Sequence, residues 1–137
     1  MSAHSLPIYV AASHLGGRGV FAAKKIHAGD TIEICPVIVM KPNEIEILDK
    51  TTLYDYYFLW EDEENDLKTC AIALGLGSMY NHYAPSNADY QMDMEHNTID
   101  IIAVKDIESG EEITINYHGD PEDTSPTWFM TDGRGKI

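Results

Sequence analysis

Three separated stretches of the chain carry residue types that can do chemistry together. In Gly77-Ser78-Met79-Tyr80-Asn81-His82-Tyr83-Ala84-Pro85-Ser86-Asn87, a carboxamide and an imidazole sit side by side between two aromatic residues, and a second carboxamide closes the run. The segment holds few charges, so Asn81 and His82 need partners if buried, because an unpaired buried amide or imidazole costs about 1–3 kcal/mol. They are either a satisfied core pair or groups that hold a ligand. In Gly16-Gly17-Arg18-Gly19-Val20-Phe21-Ala22 the glycines permit positive φ and close approach of backbone to a bound molecule. An ordinary β-turn accounts for the same residues. The third stretch, Gly110-Glu111-Glu112-Ile113-Thr114-Ile115-Asn116-Tyr117, ends in a phenol that can point into a pocket. Tyr56, Tyr57, Phe58, Trp60, Tyr80 and Tyr83 can line that pocket, although aromatic residues on strands are most often core.

Two other chemistries are set aside. Gly17-Arg18-Gly19 lacks the third glycine of a dinucleotide fingerprint and runs into a strand-like segment instead of a long helix. A metal site would have to join His82, His96, His118, Asp89 and Asp93, whose spacings match no compact ligand motif. No metal is expected, and Cys35 and Cys70, with no CxxC, fit two buried thiols in a reducing compartment better than a disulfide framework or a zinc site.

The elements that must position these stretches are mostly short strands. Ile8 to Ala12 reads as a first strand ended by the glycine cluster, and Val20-Phe21-Ala22 resumes extended structure. In Thr31 to Met40, Ile32 and Ile34 alternate with Thr31, Glu33 and Cys35, which predicts a half-buried strand with Pro36 at an edge or bend. Asn43 with Glu46 three residues on forms a capping-box pattern, with Ile45 and Leu48 at helical spacing after it, so one short helix is expected there. Tyr54 to Trp60 reads as an aromatic strand paired through the acidic turn Glu61 to Asp66 with a strand over Leu67 to Leu74. Strands are expected over Ala88 to Met94, Thr98 to Val104 and Ile113 to Tyr117, with a polar tail beyond and no repeats. The class is mainly β.

At 137 residues the chain fits one domain, residues 1–137, with a core over about 8–117 and a tail or lid over 118–137. Hydrophobic residues make up 44%, so the net charge of -14 does not signal disorder. Its field repels nucleic acid and attracts basic partners such as lysine-rich tails, so no direct nucleic-acid binding is expected. Solubilising a small domain is an equal use of the same carboxylates. Met1 to Pro7 has neither a basic start nor an apolar run, and no segment approaches the roughly 20 apolar residues of a membrane span. An intracellular protein, cytoplasmic or nuclear, is expected.

Taken in order, the three stretches resemble the SET-domain lysine methyltransferases. Gly17-Arg18-Gly19-Val20-Phe21-Ala22 is similar to that family's GxGxxA segment, Asn81-His82 through Asn87 to its Asn-His-Ser-Cys-x-Pro-Asn segment, and Gly110 through Tyr117 to its GEELTxxY segment. The likeness spans about Ile8 to Tyr117 and is greatest to minimal, viral-type SET proteins without added domains. It implies a β-clip fold of several short sheets, with one or two short helices and a C-terminal pseudoknot in which the Gly110 to Tyr117 segment and the Asn-His segment pass through one another. It also implies S-adenosylmethionine as cofactor, held by Gly17, Arg18, Gly19, Tyr80, Asn81, His82 and Tyr117, with Trp128 and Phe129 as a lid or, equally, as the anchor of a mobile tail. Tyr117 corresponds to the catalytic tyrosine. Tyr56, Phe58 and Tyr83 are the residues expected to contact a substrate lysine in a narrow channel, and minimal relatives imply a possible homodimer. Tyr83-Ala84 and Ser86 depart from the family pattern in the local turn, which leaves the degree of methylation open. The alternative from another class is a non-catalytic acidic module that keeps the fold and binds a basic peptide.

Overall fold

The computed structural model describes residues 4–125, and among them the chain is mainly β. The strands are β1 (His4–Ser5), β2 (Ile8–Ala12), β3 (Arg18–Ala22), β4 (Thr31–Val39), β5 (Phe58–Asp62), β6 (Leu67–Ala73), β7 (Asn81–His82), β8 (Ala88–Asp93), β9 (Thr98–Ala103) and β10 (Glu112–Ile115). One short helix, α1 (Ile45–Leu48), is joined by 3-10 turns at Pro42–Glu44, Thr52–Asp55 and Gly77–Met79. A six-stranded sheet runs β5-β6-β4-β9-β8 with β1 also on β4, and a four-stranded sheet runs β2-β3-β10-β7. Val20 and Ile113 from the smaller sheet share one buried cluster with Ile32, Trp60, Ile99 and Ile101 from the larger. Each such buried side chain contributes about 1.5–3 kcal/mol.

β4 departs from the simple alternation expected of it. The register slips between Thr31 and Glu33, so Ile32 is an extra residue opposite β9. Past this bulge the inward face carries Glu33 and Cys35, both buried, while Ile34 is only partly covered. Pro36 is not at an edge, since β4 is central. It marks a change of partner instead, from β9 for residues up to Pro36 to β6 from Val37 onward, which is where a residue without an N–H does least harm.

The aromatic strand is shorter than expected. Thr52–Asp55 winds as a 3-10 turn capped by Thr51, whose hydroxyl accepts from the Leu53 amide, and extended structure begins only at Phe58. The capping pattern is also displaced: Glu44 accepts from the Lys41 amide at 2.8 Å, two residues ahead of the Asn43–Glu46 pair. The hairpins β5–β6 and β8–β9 form as expected, with left-handed Asp66 and Asn97 in their turns.

Two distant turns answer one another, and contrary to the expectation of no repeats the segments that carry them share a pattern: Ala22, Lys24, Ile26, Gly29, Ile32 and Ile34 recur at the same spacing as Ala103, Lys105, Ile107, Gly110, Ile113 and Ile115. Gly29 donates to the Ala103 carbonyl and Gly110 to the Ala22 carbonyl, while Ala103 donates to Asp30 and Ala22 to Glu111. Ile26 and Ile107 exchange both of their backbone hydrogen bonds between the turns. Each turn needs its left-handed glycine, φ 90° at Gly29 and 85° at Gly110, and two residues later each releases a strand, β4 or β10. This reciprocal lock aims β10 into the smaller sheet.

Candidate functional site

β10 lies between β3 and β7, with Ile113 opposite Val20, Thr114 opposite Asn81 and Ile115 opposite His82. The three stretches singled out in the sequence therefore meet on adjacent strands. Glu112, at the start of β10, ties them: its carboxylate accepts from Ser13 Oγ at 2.6 Å and from Asn81 Nδ2 at 2.8 Å, and the same Asn81 amide group donates to the Arg18 carbonyl at 3.0 Å. Gly19 sits over this network. A Cβ there would meet Glu112 Oε2 and would lie 2.8 Å from Asn81 Nδ2. Gly19 is thus small because of the protein's own carboxylate, and it is Gly16 and Gly17, at φ 128° and 55°, that use glycine's conformational freedom.

Asn87 staples the far end of the same segment. Its side chain donates to the Glu112 carbonyl at 2.8 Å and accepts from the Thr114 amide at 2.8 Å, so both of its polar groups are spent on β10.

Tyr117 follows directly. Its hydroxyl donates to the Tyr80 carbonyl at 2.9 Å, and its amide donates to His82 Nδ1 at 3.0 Å. An Nδ1 that accepts must carry a lone pair, so the imidazole is neutral with its proton on Nε2. Burial, and then the neighbouring His118, push the His82 pKa below its ordinary value, with Asp123 opposing them. Burial raises the Tyr117 phenol well above its usual range, which keeps it protonated at neutral pH. The loop beyond folds back: Ser86 donates its amide to Pro121, Asn116 donates Nδ2 to Asp123, and the His118 ring reaches the Ser125 carbonyl at 2.9 Å.

Tyr117 also lines a cavity of about 610 Å³ together with Tyr56, Phe58, Tyr80 and Tyr90. Phe58 and Tyr90 meet edge to face at 5.1 Å. Asp55 and Glu61 add carboxylates to the lining, and among the described residues no Lys or Arg contributes. Aromatic faces with carboxylates beside them attract cations.

Of the residues expected at the site, Arg18, Gly19, Asn81, His82, Tyr80 and Tyr117 are linked by the contacts above. Gly17 accepts from the Ser13 amide in the loop. Tyr56 and Phe58 line the cavity, whereas Tyr83 is 51% exposed and is not among its lining residues. Trp128 and Phe129 lie outside the described residues. The Tyr80 phenol does not enter the cavity as a free group: it donates to Glu33 at 2.8 Å. Sequence reasoning missed Glu112 and Glu33 as partners and Tyr90 as a wall. The signal for Glu112 was its place at the start of a strand whose other residues, Ile113, Thr114 and Ile115, carry no charge; nothing local marked Glu33.

A family profile described as SET domain matches residues 17–118. Over 112 residues the chain is 35% identical to a Schizosaccharomyces pombe protein named histone-lysine N-methyltransferase, H3 lysine-37 specific, covering 81% of this chain and 73% of that relative. A crystal structure of a Plasmodium falciparum protein, described there as a candidate histone methyltransferase, superposes with a TM-score of 0.64 at 32% identity, covering 80% of this chain and 96% of the other. The apo ctPRC2 assembly with two substitutions in Ezh2 superposes with a TM-score of 0.69 at 23% identity, covering 88% of this chain and 16% of that one, a likeness of fold alone.

Proposed function

The chain belongs to the SET-domain family of protein-lysine methyltransferases, and on that premise we propose that it transfers a methyl group from S-adenosylmethionine to a lysine in a basic segment such as a histone tail. The observation that carries this reading is the double anchoring of Tyr117, by hydroxyl to Tyr80 and by amide to His82, on the wall of an aromatic pocket and next to the strand that joins Asn81 to the glycine loop.

The residues present fit the cofactor. Its sulfonium is cationic, and the phenols of Tyr56, Tyr80 and Tyr117 with the neutral imidazole of His82 would offer it lone pairs and aromatic faces without a repelling positive charge. Arg18 and Gly19, with their backbone fixed by Asn81, together with His82 are the proposed holders, and Trp128 is the proposed lid. When bound, the cofactor supplies an electrophilic methyl group.

The chain's own residues supply alignment and exclusion of water. Aromatic walls desolvate the lysine and favour its neutral, nucleophilic form. Tyr56 and Phe58 guide its stem. The Tyr117 hydrogen is spent on the Tyr80 carbonyl, so its oxygen would meet polarised C–H groups of a bound cofactor as an acceptor, in contacts worth about 0.5–1 kcal/mol each. Alignment of the reactants lowers the barrier by roughly 7–11 kcal/mol, the larger share. A phenol held protonated is not the base that takes the lysine proton, which must leave to water before the lysine binds productively.

An intracellular site of action follows from this substrate class and agrees with two free, buried thiols, Cys35 and Cys70. A second copy of the chain, completing the peptide groove, belongs to the same proposal, and sedimentation at working concentration decides it. The test of the activity is incubation with labelled S-adenosylmethionine and a panel of histones and basic proteins. Label on lysine is the expected result. Peptide binding without transfer would make the chain a non-catalytic module.

A further inference from the structure

Among the described residues Glu33 is the least exposed acid, at 5%, and nothing in the transfer scheme above uses it. It stands in the centre of the larger sheet, turned inward by the bulge at Ile32. One carboxylate oxygen accepts from the Tyr80 hydroxyl at 2.8 Å and the other from the Leu76 amide at 2.9 Å. Burial, and then the neighbouring Glu33 carboxylate, push up the Cys35 thiol two residues along the same face.

The overlying segment is fitted to this group. Gly75 is left-handed at φ 63°, and a Cβ there would run into Glu33 Oε2. A Cβ on Gly77 would lie 2.9 Å from Cys35 Sγ and 2.6 Å from the Ala73 methyl. Glu33 therefore grips the segment at Leu76 and again at Tyr80, and the second grip lies on the residue whose carbonyl receives the Tyr117 hydroxyl.

We propose that Glu33 is a positioning residue of the transfer site: by holding the Tyr80 ring it fixes the Tyr80 carbonyl, and through that carbonyl it sets the direction of the Tyr117 hydroxyl. Its effect on turnover rests on the methyltransferase reading above. A carboxylate suits the task because its two oxygens accept from a side chain and from the backbone at once, whereas a glutamine offers a single acceptor oxygen. An apolar residue would fill the space and leave the partly buried Leu76 amide without its acceptor.

The test uses the full chain and the variants Glu33→Gln and Tyr80→Phe, with steady-state kinetics and fluorine NMR of protein carrying 3-fluorotyrosine at Tyr117. Misdirection of a group at the reacting centre lowers kcat roughly tenfold to hundredfold. Loss confined to that step leaves both KM values within about twofold. The expected result is that pattern in both variants, with a displaced Tyr117 fluorine resonance. Unchanged kcat in folded variants, with the resonance at its wild-type position, would overturn the proposal and leave Glu33 a support of the fold. If Glu33→Gln does not fold, Tyr80→Phe, which keeps the carboxylate on Leu76, decides by the same two readouts. Absence of any methyl transfer by the wild-type protein defeats the methyltransferase reading alone, because the fluorine shift still reports whether Glu33 governs Tyr117.

Discussion

Tyr117 and His82 form a unit at the scale of single residues, because one contact fixes the phenol and the other fixes the backbone that carries it. Replacing Tyr117 with Phe removes the hydroxyl and keeps the ring, so kcat should fall about 100-fold or more while peptide affinity holds. Equilibrium binding beside single-turnover rates separates the two. His82 gives a pH prediction whose sign follows from its lowered pKa. Below the ordinary value of about 6.5 the unfolded chain takes up a proton that the folded imidazole resists, so stability is full above that pH and declines as pH falls toward the folded-state value. Thermal melts between neutral and mildly acid pH should show this decline, and His82→Gln should flatten it. Gly19→Ala belongs at the same scale: a methyl group driven against Glu112 and Asn81 should cost about 1–3 kcal/mol in urea denaturation.

Elements matter here through their joints. The bulge in β4 inverts the face of a whole strand, which is how an acid came to stand beneath the Asn-His segment when alternation had placed it outward. The aromatic run from Tyr54 was misassigned for a related reason. Its composition favours a strand, but Thr51 caps a 3-10 turn that brings Tyr54 and Tyr56 to the cavity lining before β5 begins. Between β10 and the segment that follows β7, Asn87 is the decisive link. Asn87→Ala leaves the Thr114 amide and the Glu112 carbonyl without its side-chain groups and should cost about 2–4 kcal/mol. A midpoint of urea unfolding unchanged from wild type would show that water replaces both bonds.

For the molecule as a whole, charge and topology act separately. The net charge of -14 leaves the fold alone and acts on encounter with partners. With a basic peptide below KM, turnover should fall several-fold as salt rises through about 0.05 to 0.3 M, because steering is screened within a Debye length. A flat response would remove steering and leave the carboxylates a solubilising role. The reciprocal turns at Gly29 and Gly110 set the global chain path, tying the first third of the chain to the last.

Local signals sufficed where the physics was local. The glycine loop, the Asn-His pair and the run ending in Tyr117 were legible because residue type and spacing along the chain define them. β2 and the two hairpins were legible because short apolar or aromatic runs and the turn residues that bound them act over a few positions. Tertiary structure alone decided which groups those residues touch. That Gly19 yields to Glu112, that Asn81 joins Arg18 to β10, and that Glu33 lies under Tyr80 are contacts between residues far apart in sequence. A one-residue bulge turned Glu33 inward, and the pairing of β10 with β3 and β7 fixed the other two; neither leaves a periodic mark, because pairing between distant strands selects the register that buries and satisfies the most groups.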